Sequence, residues 1–129
     1  MAWVEIVTCL ALIQYLVFAS LVARARGQYG VKAPAVVGHE MFERFYRVQM
    51  NTLELLIVFV PSVWLAARYW SPALMAGIGA VYLLGRVIYL RSYTKDPASR
   101  GIGFLLSLGP TAVLLLAGLV GAVMVLTSP

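Results

Sequence analysis

The chain of 129 residues is rich in apolar side chains, with 62% hydrophobic and 12% charged residues and a formal net charge of +5. A protein folded in water needs more polar side chains than this to cover its surface, so the composition excludes a soluble globule and predicts an integral membrane protein. The basic residues flank apolar segments instead of forming a soluble basic module, which excludes a role in nucleic-acid binding.

Four apolar segments are long enough to cross a bilayer, which takes about 20 helical residues. We expect membrane spans over residues 3–23, 42–70, 73–93 and 104–126. The connections between them are short and leave no room for a separate soluble domain. The sequence therefore predicts an all-α integral membrane protein, a four-transmembrane-helix bundle that forms a single domain over residues 1–129.

The first span could be mistaken for a cleaved signal peptide, and its cysteine and the histidine of the following loop could be mistaken for metal ligands. No positively charged segment precedes the apolar run, which is also longer than the core of a signal peptide, so we expect a retained helix. Cys9 is the only cysteine and His39 the only histidine. Neither has a second ligand near it in the sequence, so we interpret Cys9 as a packing residue and His39 as a loop residue, and we expect no metal.

The second span carries polar residues at a depth where lipid disfavours them. Arg47, Asn51 and Glu54 are spaced i, i+4 and i+7, so they share one face of a helix. Ionisable side chains within a membrane cost about 2.5–3.5 kcal/mol each on insertion scales and usually turn inward to serve a function. The pattern predicts a polar pocket near one membrane face. An alternative is an ion pair between Arg47 and Glu54 that only fixes helix packing. Glu43 and Arg44 at the water boundary are interpreted as solvated or snorkelling.

The third span ends in a second polar stripe, formed by Arg86, Tyr89 and Tyr93 at i, i+3 and i+7. Basic residues crowd the connections after the first and third spans, so the positive-inside rule places both connections in the cytoplasm and both termini outside. The start of the second span and the end of the third then lie at the same level. We expect the two polar stripes to converge at this level. We expect the membrane to be a bacterial inner membrane.

Proline and glycine modify three of the spans. Pro61 lacks a backbone donor and is expected to kink or loosen the second span, and the Gly109-Pro110 pair is expected to bend the fourth. Glycines of the third span, Gly77, Gly79 and Gly85, are expected to permit close contact with a neighbouring helix.

The convergence of these stripes predicts a site for a small zwitterion. Arginine binds carboxylates through a planar fork of donors and keeps its charge when partly buried. A cluster of arginines with one glutamate therefore suits a ligand with more carboxylates than amines, and the residues concerned are Arg26, Arg47, Arg86, Arg100 and Glu54. An arginine or tyrosine aimed at a thiol would also stabilise its thiolate, and the lipid side of the site would admit apolar molecules.

Two segments carry a resemblance to a known family. FERFYRVQMNTLE is similar to the second-helix signature of the membrane-associated proteins in eicosanoid and glutathione metabolism, typically E-R-x-x-R-A-x-x-N-x-x-E, with Val48 in place of the usual alanine. YLLGRVIYLRSY followed by Arg100 resembles the third-helix region of the same family. The resemblance covers essentially the whole chain in length, span number and loop order.

The resemblance implies a homotrimer with glutathione, as a substrate, bound between neighbouring subunits on the cytoplasmic side. Matched position by position, the glutathione-binding residues are Arg26, Arg47, Asn51, Glu54, Tyr89 and Tyr93. Arg100 matches the arginine that stabilises the thiolate and Arg86 an arginine near the thiol, so these two are the catalytic candidates. The implied activity is a membrane-bound glutathione transferase acting on a hydrophobic electrophile, with peroxidase activity on a lipid hydroperoxide as a second activity.

Some features depart from the family pattern and leave alternatives open. Leu55 stands where the leukotriene-forming member has a tyrosine, and Ser107 and Thr111 are the polar residues that the fourth span offers, which makes the prostaglandin-forming branch a poorer match. A non-catalytic scaffold that binds lipid or glutathione remains an alternative. So does a small proton-coupled exporter, although it would need an acid deep in a helix, and Glu5 lies too close to a helix end.

Overall fold

The fold consists of four long helices, in a computed structural model that describes all 129 residues. The helices are α1 (Ala2–Tyr29), α2 (Glu40–Tyr69), α3 (Pro72–Lys95) and α4 (Gly101–Thr127). Each is long and apolar enough to cross a membrane. The predicted all-α membrane class with four spans is confirmed.

The first helix is longer than its predicted span. It continues past residue 23 to Tyr29, so Arg24 and Arg26 lie on a helix and not in a loop. The helix ends at Gly30, whose φ of 70° is a left-handed conformation that glycine adopts without steric cost, and the N–H of Gly30 donates to the Arg26 carbonyl. Hydropathy locates the part of a helix in hydrocarbon, whereas the hydrogen-bonded backbone continues into the polar interface.

Side chains cap the starts of α2 and α3. The His39 Nδ1 accepts from the backbone N–H of Met41 at 3.1 Å, and the His39 ring stacks on Tyr29 with centroids 4.3 Å apart. The Ser71 hydroxyl accepts from the N–H of Leu74 at 3.3 Å, ahead of Pro72 at the first turn of α3. His39 is thus an N-cap that ties the end of α1 to the start of α2.

The centre of the bundle is formed by α2 and α3, each of which contacts the other three helices, whereas α1 and α4 each pack mainly on this central pair. The rings of Phe59 and Tyr82 stack at its middle with centroids 3.9 Å apart, next to the fully buried Val63 and Leu114. In lipid, such interdigitation stabilises helix association through van der Waals contact.

Glycines bring α3 and α4 into backbone contact. A Cβ added at Gly85 would lie 2.6 Å from the carbonyl carbon of Leu106, and one added at Gly103 would lie 2.5 Å from the amide nitrogen of Tyr89. Close contact at Gly85 and Gly79 agrees with the expectation for the third span, whereas the expectation is wrong at Gly77, where an added Cβ would meet nothing within 4 Å. The contact at Gly103 was not anticipated. This contact places the polar end of α3 directly against the first turns of α4.

Pro61 and Pro110 lie inside α2 and α4, and both helices continue through them. The bends expected at these prolines stay predictions.

Arg44, on α2, binds the end of α3, at the joint between α3 and α4. Its Nη1 donates to the carbonyl oxygens of Thr94 at 3.0 Å and Lys95 at 3.1 Å, and its Nη2 pairs with Glu40 at 2.6 Å. The interpretation of Arg44 as solvated is therefore wrong. Guanidinium donors satisfy the last carbonyls of α3, which have no partner within the helix, and Arg100 follows this joint at the start of α4.

Candidate functional site

The polar stripes of α2 and α3 meet in a cavity of about 380 Å³ at the end of the bundle where α2 begins and α3 ends. Its lining consists of Arg47, Asn51, Tyr89, Tyr93, Arg100 and Phe104. Five of these six were predicted as site residues, and the structure brings them together within one chain. Their roles in binding and catalysis stay predictions.

The cavity is positively charged. Arg47 and Arg100 are exposed, and no carboxylate contributes to the lining. The single ion pair of the chain joins Arg44 to Glu40, so the alternative in which Arg47 pairs with Glu54 within one chain is wrong. Two helical turns separate Arg47 from Glu54, about 10 Å along the axis, which is too far for a direct pair. The cavity can therefore attract an anion.

Two tyrosines form an aromatic wall. The rings of Tyr89 and Tyr93 stack with centroids 5.5 Å apart and an interplanar angle of 22°. Tyr89 is buried and Tyr93 half-buried. The guanidinium carbon of Arg86 lies 4.3 Å from the centroid of the Tyr89 ring, a cation–π contact that helps to fix this ring.

Arg86 lies behind the cavity wall and not in its lining. Its side chain is fully buried, with Nε donating to Ser107 Oγ at 2.8 Å and Nη1 donating to Asn51 Oδ1 at 2.8 Å and Thr52 Oγ1 at 3.1 Å. Its Nη2 has no partner. Neutral oxygens surround this cation, and two of the residues that it contacts, Asn51 and Tyr89, line the cavity.

Two further predicted residues, besides Arg86, lie outside the cavity. Arg26 donates from Nη1 to the carbonyl oxygen of Ala35 at 2.6 Å, and its Cζ lies 4.8 Å from the centroid of the Phe42 ring, so it holds the first loop. Glu54 is exposed on α2 and has no ion pair. Within one chain neither residue reaches the other members of the predicted set.

Sequence reasoning missed three residues of the site. Phe104 lines the cavity, but an apolar residue at the start of an apolar helix carries no distinguishing signal. Thr52 and Ser107 hold Arg86. The signal that could have found them is the arginine itself, because a buried guanidinium requires oxygen acceptors from the helices around it.

Other cavities differ in chemistry. A neighbouring cavity of about 370 Å³ shares Arg47 and Tyr93 with the first and adds Glu40 and Glu43 to its lining. An apolar groove of about 430 Å³ lies between the first halves of α1 and α3, away from the polar residues, and Trp3 and Leu10 belong to its lining. A cavity of about 700 Å³ at the far end of α2 includes Arg68 in its lining.

Comparison with known proteins decides the family. The model of the MAPEG family matches residues 4–120, which is nearly the whole chain. The chain belongs to the MAPEG family. This is the family of membrane-associated proteins in eicosanoid and glutathione metabolism, so the resemblance drawn from the second and third spans is confirmed.

Three relatives show how this MAPEG chain compares with individual proteins. It is 44% identical over 117 residues to an uncharacterized protein of Synechocystis sp., covering 91% of this chain and 85% of the relative. It is 38% identical over 115 residues to microsomal glutathione S-transferase 2 of Homo sapiens, covering 89% and 78%. It is 34% identical over 94 residues to leukotriene C4 synthase of Cavia porcellus, covering 73% and 63%.

Proposed function

We propose that the protein is a membrane-bound glutathione transferase that joins the glutathione thiolate to a lipophilic electrophile. The observation that carries this proposal is the cavity of about 380 Å³ in which Arg47 and Arg100 stand unpaired beside two tyrosines. The similarity to relatives named microsomal glutathione S-transferase 2 and leukotriene C4 synthase supports it.

Glutathione matches this cavity in charge and size. It carries two carboxylates, one ammonium group and a thiol, so its thiolate form is an anion that two free guanidinium groups complement. The cavity volume of about 380 Å³ falls in the range of small-molecule sites. The remaining ammonium group needs an acceptor from outside the cationic lining.

Arg100 is the residue we assign to thiolate stabilisation. It occupies the N-cap of α4, where the guanidinium charge and the positive end of the helix dipole act on the same volume. The thiolate sulfur attacks the electrophilic carbon, a C–S bond forms, and the leaving group departs with its electron pair. Arg47, Asn51 and Tyr93 hold the peptide so that this attack is oriented.

We propose that the protein acts as a homotrimer, with glutathione between neighbouring copies. Arg47, Glu54, Pro61 and Arg68 form an exposed line along α2 at seven-residue spacing. An unpaired glutamate in a membrane helix is costly against lipid, so a second copy covering this face would remove the cost. Such a contact would also let Arg26 and Glu54 of one copy complete the cavity of the next.

The proposed orientation places the cavity on the cytoplasmic side of a bacterial inner membrane, with both termini outside. The basic residues of the two connections lie at the cavity end of the bundle, as the positive-inside rule requires. The electrophile would then enter from lipid past Phe104, the apolar member of the lining.

The test of this function is thioether formation by the purified protein in detergent, with an activated aryl halide as the electrophile and mass spectrometry of the product. We expect conjugation that Arg100→Ala slows about 100-fold and Arg91→Ala preserves, because Arg91 is exposed on α3 and lies outside the cavity. Replacing the halide with a lipid hydroperoxide tests the peroxidase activity. Product formation no faster than in detergent alone would reject the transferase.

A further inference from the structure

The buried Arg86 joins three helices beneath the cavity. From α3 it donates to Ser107 on α4 and to Asn51 and Thr52 on α2. All three acceptors are neutral oxygens, and the arginine is 0% exposed. Of the four residues in this cluster, Asn51 alone also lines the cavity.

The chemistry of arginine fixes the direction of the Asn51 amide. A guanidinium group has donors only, so the atom 2.8 Å from Arg86 Nη1 is the amide oxygen and not its nitrogen. The Asn51 NH₂ group has no partner within the chain and is left for the cavity. Asn51 therefore meets a ligand as a donor, although a free asparagine side chain could equally accept.

The hydroxyls that hold Arg86 are themselves fixed in direction. Ser107 Oγ donates its hydrogen to the carbonyl oxygen of Gly103 at 2.7 Å, and Thr52 Oγ1 donates to that of Val48 at 2.8 Å. Each hydroxyl donates its only hydrogen to a backbone carbonyl oxygen of its own helix. Its oxygen is therefore left to accept a hydrogen bond from the guanidinium group. The two hydroxyls are thus held by the backbones of α2 and α4, and each hydrogen bond in the network has a fixed donor and a fixed acceptor.

We propose that this network sets the specificity of the cavity by holding Asn51 as a fixed hydrogen-bond donor, with Arg86, Thr52 and Ser107 as its positioning residues. The ligand must then present an acceptor oxygen, from a carboxylate or a peptide carbonyl, to Asn51. That the ligand is glutathione rests on the proposed function. The direction of the amide does not depend on it.

The first experiment observes the amide directly. Asn51 is the only asparagine of the chain, so labelling with ¹⁵N-asparagine gives one side-chain NH₂ signal in the NMR spectrum of the protein in detergent. We expect this NH₂ to exchange with water in the free protein and to shift on addition of glutathione, whose binding is measured separately by calorimetry.

The outcomes separate the two proposals. An NH₂ group protected from water in the free protein, or one that does not shift while calorimetry records glutathione binding, would overturn the donor assignment. An exchanging NH₂ group with no glutathione binding by calorimetry would support the amide direction and reject the proposed ligand.

The second experiment tests the positioning residues. Thr52→Val keeps the shape of the side chain but removes the hydroxyl, and we expect it to weaken glutathione binding about five- to tenfold, as for one neutral hydrogen bond. Thr52→Ser restores the oxygen and should restore binding. In an Asn51→Ala background Thr52→Val should cause no further loss, because its effect passes through the amide.

A structural role alone would give a different pattern. The same loss from Thr52→Val with and without Asn51 would show that Thr52 acts on the fold and not on the amide, and would overturn the proposal. Ser107→Ala in both backgrounds repeats the test from α4. The unfolding temperature of each variant, measured in parallel, identifies any that fails to fold.

Discussion

Individual arginines in this site differ in surroundings, and the difference assigns them different tasks. Arg47 and Arg100 are exposed at the cavity, where each can contact a ligand, whereas Arg86 is buried among neutral oxygens and is proposed to act through Asn51. Arg44 satisfies carbonyls at the end of α3. Residue type alone does not separate these roles, because what surrounds each guanidinium decides whether it binds, positions or caps.

Arg47 and Arg100 are predicted to separate in their kinetic effects. Arg100→Ala should lower kcat about 100-fold with a smaller change in glutathione affinity, because its charge acts on the reacting sulfur. Arg47→Ala should weaken glutathione affinity about tenfold or more with a smaller change in kcat, as for a lost charge-assisted hydrogen bond. Steady-state kinetics and calorimetry on both variants measure this. Equal effects of the two on affinity would remove the division of roles.

The helix contacts determine how the site is held together. Because Gly85 and Gly103 have no Cβ, the backbones of α3 and α4 lie in contact. Arg44 of α2 donates a hydrogen bond to the end of α3. The cavity lining comes from α2, α3 and the beginning of α4, so its shape depends on both contacts.

Alanine substitutions along α3 test the helix contact. Gly85→Ala should lower the free energy of unfolding by about 1–3 kcal/mol. The new Cβ would lie 2.6 Å from the backbone of Leu106 and would force the two helices apart. Glutathione affinity should fall with it, because Arg86 and Ser107 lie at this contact. The matched control is Gly77→Ala on the same helix, where nothing lies within 4 Å. Equal unfolding temperatures for the two variants would contradict the close packing.

Arg44→Ala tests the joint after α3. The variant should lose about 1–3 kcal/mol of stability because two carbonyl oxygens lose a charged donor. Arg91→Ala, an exposed arginine on α3 without such contacts, should leave the unfolding temperature in detergent unchanged. A variant at Arg44 as stable as the Arg91 control would restore the solvated interpretation.

The sequence predicts the helices well because burial in lipid requires long apolar runs. It predicts helix ends less well, as the continuation of α1 to Tyr29 shows, because polar residues extend a helix beyond hydrocarbon. The i, i+4 and i, i+7 spacings identified the polar faces of α2 and α3. Which face of α4 meets them depends on glycine contacts such as Gly103, so Phe104 could not be foreseen, whereas Arg86 within a membrane span could have pointed to an oxygen acceptor such as Ser107.

In the proposed trimer, a single chain would hold only part of the site. Glu54 is exposed and unpaired on a membrane helix, and Arg26 is turned toward the first loop. These two members of the predicted set therefore do not line the cavity of their own chain. The proposed trimer would account for these positions, because a residue that acts in a neighbouring copy leaves no signal in the local spacing of its own sequence. In detergent we predict a particle of three times the 14.1 kDa chain mass, measured by native mass spectrometry. A monomer that still conjugates glutathione would contradict the shared site.

Mixed subunits test whether the site is shared between copies. Arg26→Ala and Arg100→Ala should each be nearly inactive alone. When the two variants are co-expressed, some sites would combine the intact Arg26 of one copy with the intact Arg100 of another, so part of the activity should return. Co-expressed wild-type chain provides the upper limit. No recovery in verified mixed trimers would place the whole site within one chain.

We propose that the cavity of α2, α3 and α4 binds glutathione as its thiolate. The most direct test is the ultraviolet thiolate absorbance of glutathione titrated into the purified protein across pH, with Arg91→Ala as the control. We predict a saturable signal at neutral pH, below the ordinary thiol pKa of about 8.5, that Arg91→Ala keeps and Arg100→Ala loses. Binding without a thiolate signal, or a signal that survives Arg100→Ala, would contradict the account.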